Sequence, residues 1–148
     1  MKTLYIIRGL PGSGKSTYAQ AAAQAAPNSV HRETDMYFMD NEEYKFDASY
    51  LNKAHKWCRF SVECEMLNGT EKIFVSNTFT KISEITPYAQ LTKDYGYAMI
   101  IIHMKHNFGS VHNVPYDTIE RMKNRFVSNE DVVKYFENFV DIKHFEID

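Results

Sequence analysis

Residues 9–16 read Gly-Leu-Pro-Gly-Ser-Gly-Lys-Ser, which fits the spacing G-x-x-x-x-G-K-S/T in full. Each residue type in that pattern suits a phosphate. The glycines Gly9, Gly12 and Gly14 permit positive φ and close backbone approach. With Pro11 and Ser13 between them, successive N–H groups are expected to turn inward as an anion-binding nest. A helix beginning at Lys15, with Ser16 and Thr17 in its first turn, adds the partial positive charge of its N-terminus. Lys15 has the reach for the β- and γ-phosphates of a nucleoside triphosphate. Ser16 offers a hydroxyl to Mg²⁺, an ion that keeps several of its waters. A dinucleotide-binding turn would need G-x-G-x-x-G spacing and would leave Lys15-Ser16 unexplained.

Phosphate binding alone serves an ATPase, a GTPase or a phosphotransferase. Base-reading motifs of the N-K-x-D type are absent. The later apolar run "KIFVS" leads into Ser76-Asn77-Thr78, with no Asp or Glu at its end, which argues against a water-activating ATPase. Asp35, in "ETDMYF", is the more telling acid. In parallel α/β sheets the carboxyl ends of the strands share one edge, so Asp35 is expected to face the phosphate loop. There it can take the proton of an attacking hydroxyl. The alternative is a helix N-cap or a solvated turn residue.

The elements that must position these groups are legible from periodicity. "TLYIIR", 3–8, is a near-continuous apolar run of the kind buried on both faces of a parallel sheet. "KSTYAQAAAQAA", 15–26, is helical by propensity and stopped by Pro27. A short strand is expected over 29–33, and an aromatic, acidic functional loop over 34–47. Leu51, Ala54, His55, Cys58, Val62 and Met66 recur at helical spacing through 48–67, ended by Asn68-Gly69. Strands over 72–76 and 97–104 flank a helix over 82–94. Helices over 115–127 and 130–137 and an edge strand near 140–147 close the chain. Alternating strands and helices imply right-handed crossovers and a parallel sheet covered on both faces.

The 148 residues suit one domain, and 44% hydrophobic with 24% charged residues is an ordinary globular balance. A formal net charge of −2 is not that of a protein tracking long stretches of phosphate backbone, so any nucleic-acid contact is expected to be short. Cys58 and Cys64 lack metal-ligand spacing and read as thiols of a reducing compartment. No signal-peptide pattern and no membrane-spanning run is visible, so a cytoplasmic protein is expected. The sequence leaves the oligomeric state open.

The segments "YIIRGLPGSGKSTYA", "TDMYF", "YKFDASYLNKAHKWC", "SNTFT" and "VPYDTIERMKNRF" resemble, in order, one branch of the P-loop kinases. That branch holds the bacteriophage-type polynucleotide 5′-hydroxyl kinases and the small kinase-like domains of NEDD4-binding proteins. The resemblance implies a three-layer α/β/α fold with about five parallel strands. It implies ATP with Mg²⁺ and phosphorylation of a hydroxyl, a polynucleotide 5′ end or a nucleotide-like acceptor being the expected class. It assigns Lys15 and Ser16 to ATP and Mg²⁺, Asp35 to the general base, and Asn77 and Thr78 to the acceptor side. The chain departs from the branch at three places. Met36 stands where relatives carry a second Asp, and Ser76-Asn77-Thr78-Phe79 stands for D-N-T-N or S-D-T-N. Phe108-Gly109 stands where relatives carry lid arginines, whose loss can cost several orders of magnitude in rate. Lys105, Arg121 and Arg125 are the candidate replacements. The departures keep two other readings open: a nucleotide-binding interaction protein with weak or lost catalysis, and a kinase of a nucleoside or sugar.

Other residues carry paired readings. Tyr37, Phe38, Tyr44 and Phe46 either stack an acceptor base or form the loop's own small core. Arg121 and Arg125, one helical turn apart, either contact phosphates or make a solvated basic face. His55 is either packed or catalytic. His103, His106 and His112 suggest a metal only weakly, without nearby cysteines or carboxylates.

Overall fold

The computed structural model describes residues 1–109 and 114–148. In chain order the elements are β1 (Thr3–Arg8), α1 (Lys15–Ala25), β2 (Ser29–Arg32), a 3₁₀ turn (Thr34–Phe38), β3 (Met39–Asp40) and β4 (Glu43–Tyr44). There follow a second 3₁₀ turn (Ala48–Tyr50), α2 (Leu51–Leu67), β5 (Lys72–Ser76), α3 (Ile82–Tyr95) and β6 (Ala98–Met104). The chain closes with α4 (Tyr116–Arg125), α5 (Asn129–Phe136) and β7 (Ile142–Ile147). Five strands form one all-parallel sheet in the order β2-β5-β1-β6-β7.

Strand side chains alternate between faces, and β1 shows how both become buried. Leu4 and Ile6 join Val62 and Met66 of α2, Ile85 and Ala89 of α3, and Val132 and Phe136 of α5. Ile7 joins Ala19 of α1 with Phe74, Ile102 and Met104, and Tyr5 packs beside it, stacked on Phe74 at 4.3 Å. The three expected layers are therefore α1, the sheet, and α2 with α3 and α5. Each fully buried Leu or Ile contributes about 1.5–3 kcal/mol, so the central strands are the most strongly held elements.

Two segments are more ordered than their composition suggests. The stretch 34–47, expected as a loop, holds the first 3₁₀ turn and the antiparallel β3–β4 hairpin, paired Met39 with Tyr44 and Asp40 with Glu43. The helix expected from residue 48 opens as a 3₁₀ turn because the Asp47 side chain accepts hydrogen bonds from the Ser49 N–H and hydroxyl. Pro115 is the N-cap of α4, with ψ 143°, rather than its first helical residue. β7 lies at the sheet edge, as expected. The carboxyl ends of β1, β2, β5 and β6 lie along one edge, and β1 runs directly from Arg8 into the glycine-rich turn.

Candidate phosphate and acceptor site

The turn after β1 is shaped by its glycines. Gly12 and Gly14 take φ of 85° and 83°, the left-handed region where a side chain strains the backbone. At Gly9 the constraint is space: a Cβ there would sit 2.5 Å from Ser13 Oγ and 2.6 Å from the Met104 carbonyl oxygen. Gly14 caps α1 without a side-chain bond, and the first helical turn carries no acid. The helix therefore presents free N–H groups and partial positive charge toward the turn. Ser13 Oγ is buried without a protein partner. An orphaned hydroxyl among left-handed glycines at a helix N-terminus fits a bound phosphate.

Lys15 folds back over its own turn, with Nζ 3.5 Å from the Leu10 carbonyl oxygen. Desolvation pushes the Lys15 pKa down, and the charges of Glu33 and Asp35 oppose that shift. Both carboxylates are near enough for their charge to act on the Lys15 ammonium. Asp35 lies in the 3₁₀ turn just after β2, at the carboxyl edge of the sheet. Glu33, one residue past β2, was missed. Its Oε2 accepts hydrogen bonds from Ser16 Oγ and, at 3.1 Å, from Ser76 Oγ. His31 Nε2 lies 2.7 Å from Ser76 Oγ and 3.8 Å from Glu33 Oε2. Alternation puts His31 and Glu33, two residues apart, on one side of β2, but only the strand pairing, Arg32 with Val75, brings the following residues, Glu33 and Ser76, together. The Ser16 hydroxyl beside a carboxylate is an oxygen donor set of the kind Mg²⁺ prefers.

Asp35 sits in the first turn of the 3₁₀ segment. Its Oδ1 accepts a hydrogen bond from Tyr44 Oη at 3.2 Å. Burial first, and the Asp35 charge second, push the Tyr44 pKa up to about 12, so the phenol remains a donor. The base of the segment is anchored to β5 and α2. Thr34 N–H donates to Asn77 Oδ1 at 2.9 Å, Thr34 Oγ1 lies 3.2 Å from His55 Nδ1, and Asn77 Nδ2 reaches Cys58 Sγ at 3.8 Å. Asn77 therefore ties the Asp35 turn to the sheet edge. The Thr78 carbonyl accepts from Gly9 N–H at 3.3 Å, linking the acceptor side to the phosphate turn. His55 is packed against Thr34. Among the loop aromatics, Phe38 is buried and holds Phe46 at 5.0 Å and Tyr44 at 6.4 Å between ring centroids. Phe38 is the buried member of this cluster, and Phe46, 51% exposed, packs one face on it. Tyr37, 38% exposed and 6.2 Å from Trp57, keeps a face toward solvent.

On the other side of the turn lies a cavity of about 590 Å³ between the ends of β6 and α4. Leu10, Pro11, His103, Lys105, Lys123 and Phe126 are among its lining residues. Arg121 and Arg125 are not. Arg121 donates to Thr118 of its own helix at 3.1 Å, and Arg125 Nε donates to Thr80 Oγ1 at 3.0 Å. Lys123, the third basic residue of this helix, is the one that lines the cavity. Phe108 leans on the turn: its N–H donates to the Gly12 carbonyl at 2.7 Å, and its ring would lie 3.0 Å from a Cβ on Gly14. The rest of the expected lid, 110–113 with His112, lies outside the described residues. Among the described residues no three His, Cys, Asp or Glu side chains group as metal ligands, and no helix is long and apolar enough to cross a membrane. Both cysteines are free.

A family model described as an AAA domain matches residues 4–107. Human NEDD4-binding protein 2 is 35% identical over 97 residues, which is 66% of this chain but 6% of that protein, so the chain spans a small part of that relative. A structure titled AvrRxo1-ORF1:-ORF2 with ATP superposes with a TM-score of 0.70 at 16% identity, covering 100% of this chain and 55% of the other. A chain of the Pnkp1/Rnl/Hen1 complex gives a TM-score of 0.55 at 20% identity, over 81% of this chain and 38% of the other. Further matches of the same fold are described as kinases. With its strand–glycine turn–helix unit, five-stranded parallel sheet and family match over residues 4–107, the chain belongs to the AAA-domain family of P-loop proteins and has the fold of P-loop kinases.

Proposed function

We propose that the protein transfers the γ-phosphoryl group of ATP to a hydroxyl, with a polynucleotide 5′ end or a nucleotide-like alcohol as acceptor. The observation that carries this reading is the glycine turn with its orphaned Ser13 hydroxyl and the Lys15 side chain folded over it, at the same sheet edge as the Asp35 turn. ATP with Mg²⁺ supplies the activated phosphoryl group. The backbone of Gly9–Ser16 and the Lys15 ammonium hold the phosphates, and Ser16 is the metal ligand. Asp35 takes the proton of the acceptor hydroxyl as that oxygen bonds to the γ-phosphorus and the bond to the ADP oxygen breaks, its electron pair leaving with ADP. Tyr44 fixes the Asp35 carboxylate through Oδ1. Asn77 and Thr78 border the acceptor's space, and Tyr37 offers an exposed ring for stacking. The cavity beside Pro11 and Phe126 is on the opposite side of the turn and is assigned to the rest of the donor nucleotide. Its Lys105 and Lys123 stand in for lid cations; Arg121 and Arg125 remain candidates for donor contact only if α4 shifts.

One observation favours a second reading. An uncharged Phe108 rests on the turn where relatives are expected to bring arginine, as in a protein that binds nucleotide without efficient transfer. Labelled ATP offered with 5′-hydroxyl oligonucleotides, nucleosides and sugars separates the two. Label appearing on one acceptor class supports transfer and names the acceptor. Tight ATP binding with label on no acceptor removes the kinase reading and leaves the binding protein.

A further inference from the structure

The acid at the phosphate turn arrives from an unexpected strand. β5 lies directly beside β1, yet it ends in a hydroxyl, Ser76. The carboxylate comes from β2, one strand further out, and reaches across Ser76 to the first turn of α1. Glu33 Oε2 accepts from both Ser16 Oγ and Ser76 Oγ. His31 Nε2 sits at hydrogen-bond distance from Ser76 Oγ. If His31 donates to Ser76 and Ser76 donates to Glu33, each hydroxyl is used once as donor and Glu33 is held from behind by β5.

This arrangement matters for what Ser16 can do. A serine hydroxyl that gives a lone pair to a cation must aim its own proton elsewhere. In a half-buried site that proton needs an acceptor, and its donor strength rises when the oxygen is metal-bound. Glu33 is the acceptor in place.

We propose that Glu33 is a positioning residue for the metal of a bound Mg²⁺-nucleotide: it accepts the hydrogen bond of the Ser16 hydroxyl, which keeps its proton, so that the Ser16 lone pair would face the ion, with Ser76 and His31 fixing the carboxylate. The proposal rests on the nucleotide reading above. It also predicts that a carboxylate restored at the end of β5 can do the same work, because position 76 touches the same Glu33 oxygen.

The test measures ADP binding to the full chain by calorimetry, with Mg²⁺ and with chelator, and Mn²⁺ binding in the presence of ADP by electron paramagnetic resonance. The proteins are wild type, Glu33→Ala, and Glu33→Ala with Ser76→Asp, each checked for folding by circular dichroism. Loss of an outer-sphere partner commonly weakens metal affinity about 10–100-fold. Glu33→Ala is expected to show that loss for Mn²⁺ and in the Mg²⁺-dependent part of ADP affinity. Its metal-free ADP affinity should be equal or tighter, since one negative charge has left the phosphate site. The double variant is expected to recover most of the metal dependence. A Glu33→Ala protein with wild-type metal dependence overturns the proposal. So does equal loss of ADP with and without metal, or a folded double variant that recovers nothing. A wild type that binds no ADP in either condition overturns the nucleotide reading and this proposal together.

Discussion

The Arg8 guanidinium lies 4.2 Å from the centroid of the Phe126 ring, at the point where β1 becomes the phosphate turn. Arg8 is fully buried, and its Nε and Nη2 both donate to the Phe79 carbonyl, at 3.0 and 2.7 Å, while Nη1 donates to Asn129 Oδ1 at 3.0 Å. Burial lowers its pKa to about 10, so it remains charged at neutral pH. Phe79 carries a positive φ of 47°, and the fork holds that residue's carbonyl in place. One side chain therefore fixes the phosphate turn, the acceptor-side segment 77–80 and the start of α5.

Arg8→Met should destabilise the fold by about 2–4 kcal/mol, because it leaves two buried acceptors without donors. An apolar replacement of a buried charge can be neutral when the partner charge leaves with it. Here the partners are a carbonyl and an amide oxygen, which stay. Urea unfolding of the two proteins decides the matter; equal midpoints would mean that Arg8 is not the tie described.

Gly9→Ala tests the turn without touching a charge. The added methyl meets the Met104 carbonyl, a backbone atom that cannot swing away. Overpacking of this kind costs about 1–3 kcal/mol. ADP affinity should fall more than tenfold while circular dichroism stays native. Unchanged affinity would mean that the turn is not the phosphate site. Lys15→Ala should abolish transfer of label from ATP to an acceptor, and a variant that still labels the acceptor would remove Lys15 from the phosphate site.

Asp35→Asn separates proton transfer from nucleotide binding. A positioned general base contributes about 10²–10⁴-fold in rate, and that loss is expected in kcat. ADP affinity should change little, since the Asp35 charge acts on Lys15 less than burial and Glu33 do. Tyr44→Phe should lower kcat by about tenfold or less, because it removes a positioning bond at 3.2 Å and no proton acceptor. Equal turnover of wild type and Asp35→Asn would remove the base assignment.

Much of this site was legible because its information is local. The glycine spacing, Lys15 and Ser16 sit in eight consecutive residues between a buried strand and a helix, and the structure has them as the spacing implies. Asp35 was legible because strand ends share an edge. Glu33 was not, because its contact depends on which strand lies beside which. The end of "KIFVS" at Ser76 reads as an absent acid until β2 is seen next to β5, one register step past Arg32–Val75. Which of the three basic residues of α4 reaches the cavity was not legible for the same kind of reason: the face that α4 turns toward it carries Ile119, Glu120 and Lys123, while residue types alone favour the arginines. The aromatic loop had two sequence readings, and burial assigns only Phe38 to the packed one; Tyr37 and Phe46 both keep exposed ring surface.

His103 gives a prediction with pH. Its ring stacks on Phe126 at 4.6 Å. Burial pushes its pKa down, and the Arg8 charge pushes the same way, against Glu146. The folded protein therefore binds a proton at this residue less readily than the unfolded chain, whose histidine titrates near about 6.5. Stability from this group is present above that value and is lost as pH falls toward the folded pKa. His31 is lowered as well, chiefly by burial, so His103 carries only part of the slope. Unfolding free energy measured in urea between about pH 7 and pH 5 should fall for the wild type, and fall less steeply for His103→Gln, which cannot take up a proton in either state. The comparison is of slopes, so a constant offset from altered packing against Phe126 does not matter. Parallel slopes for the two proteins would show that His103 protonates as easily folded as unfolded, and that the Arg8–Phe126–His103 stack does not exclude a second charge.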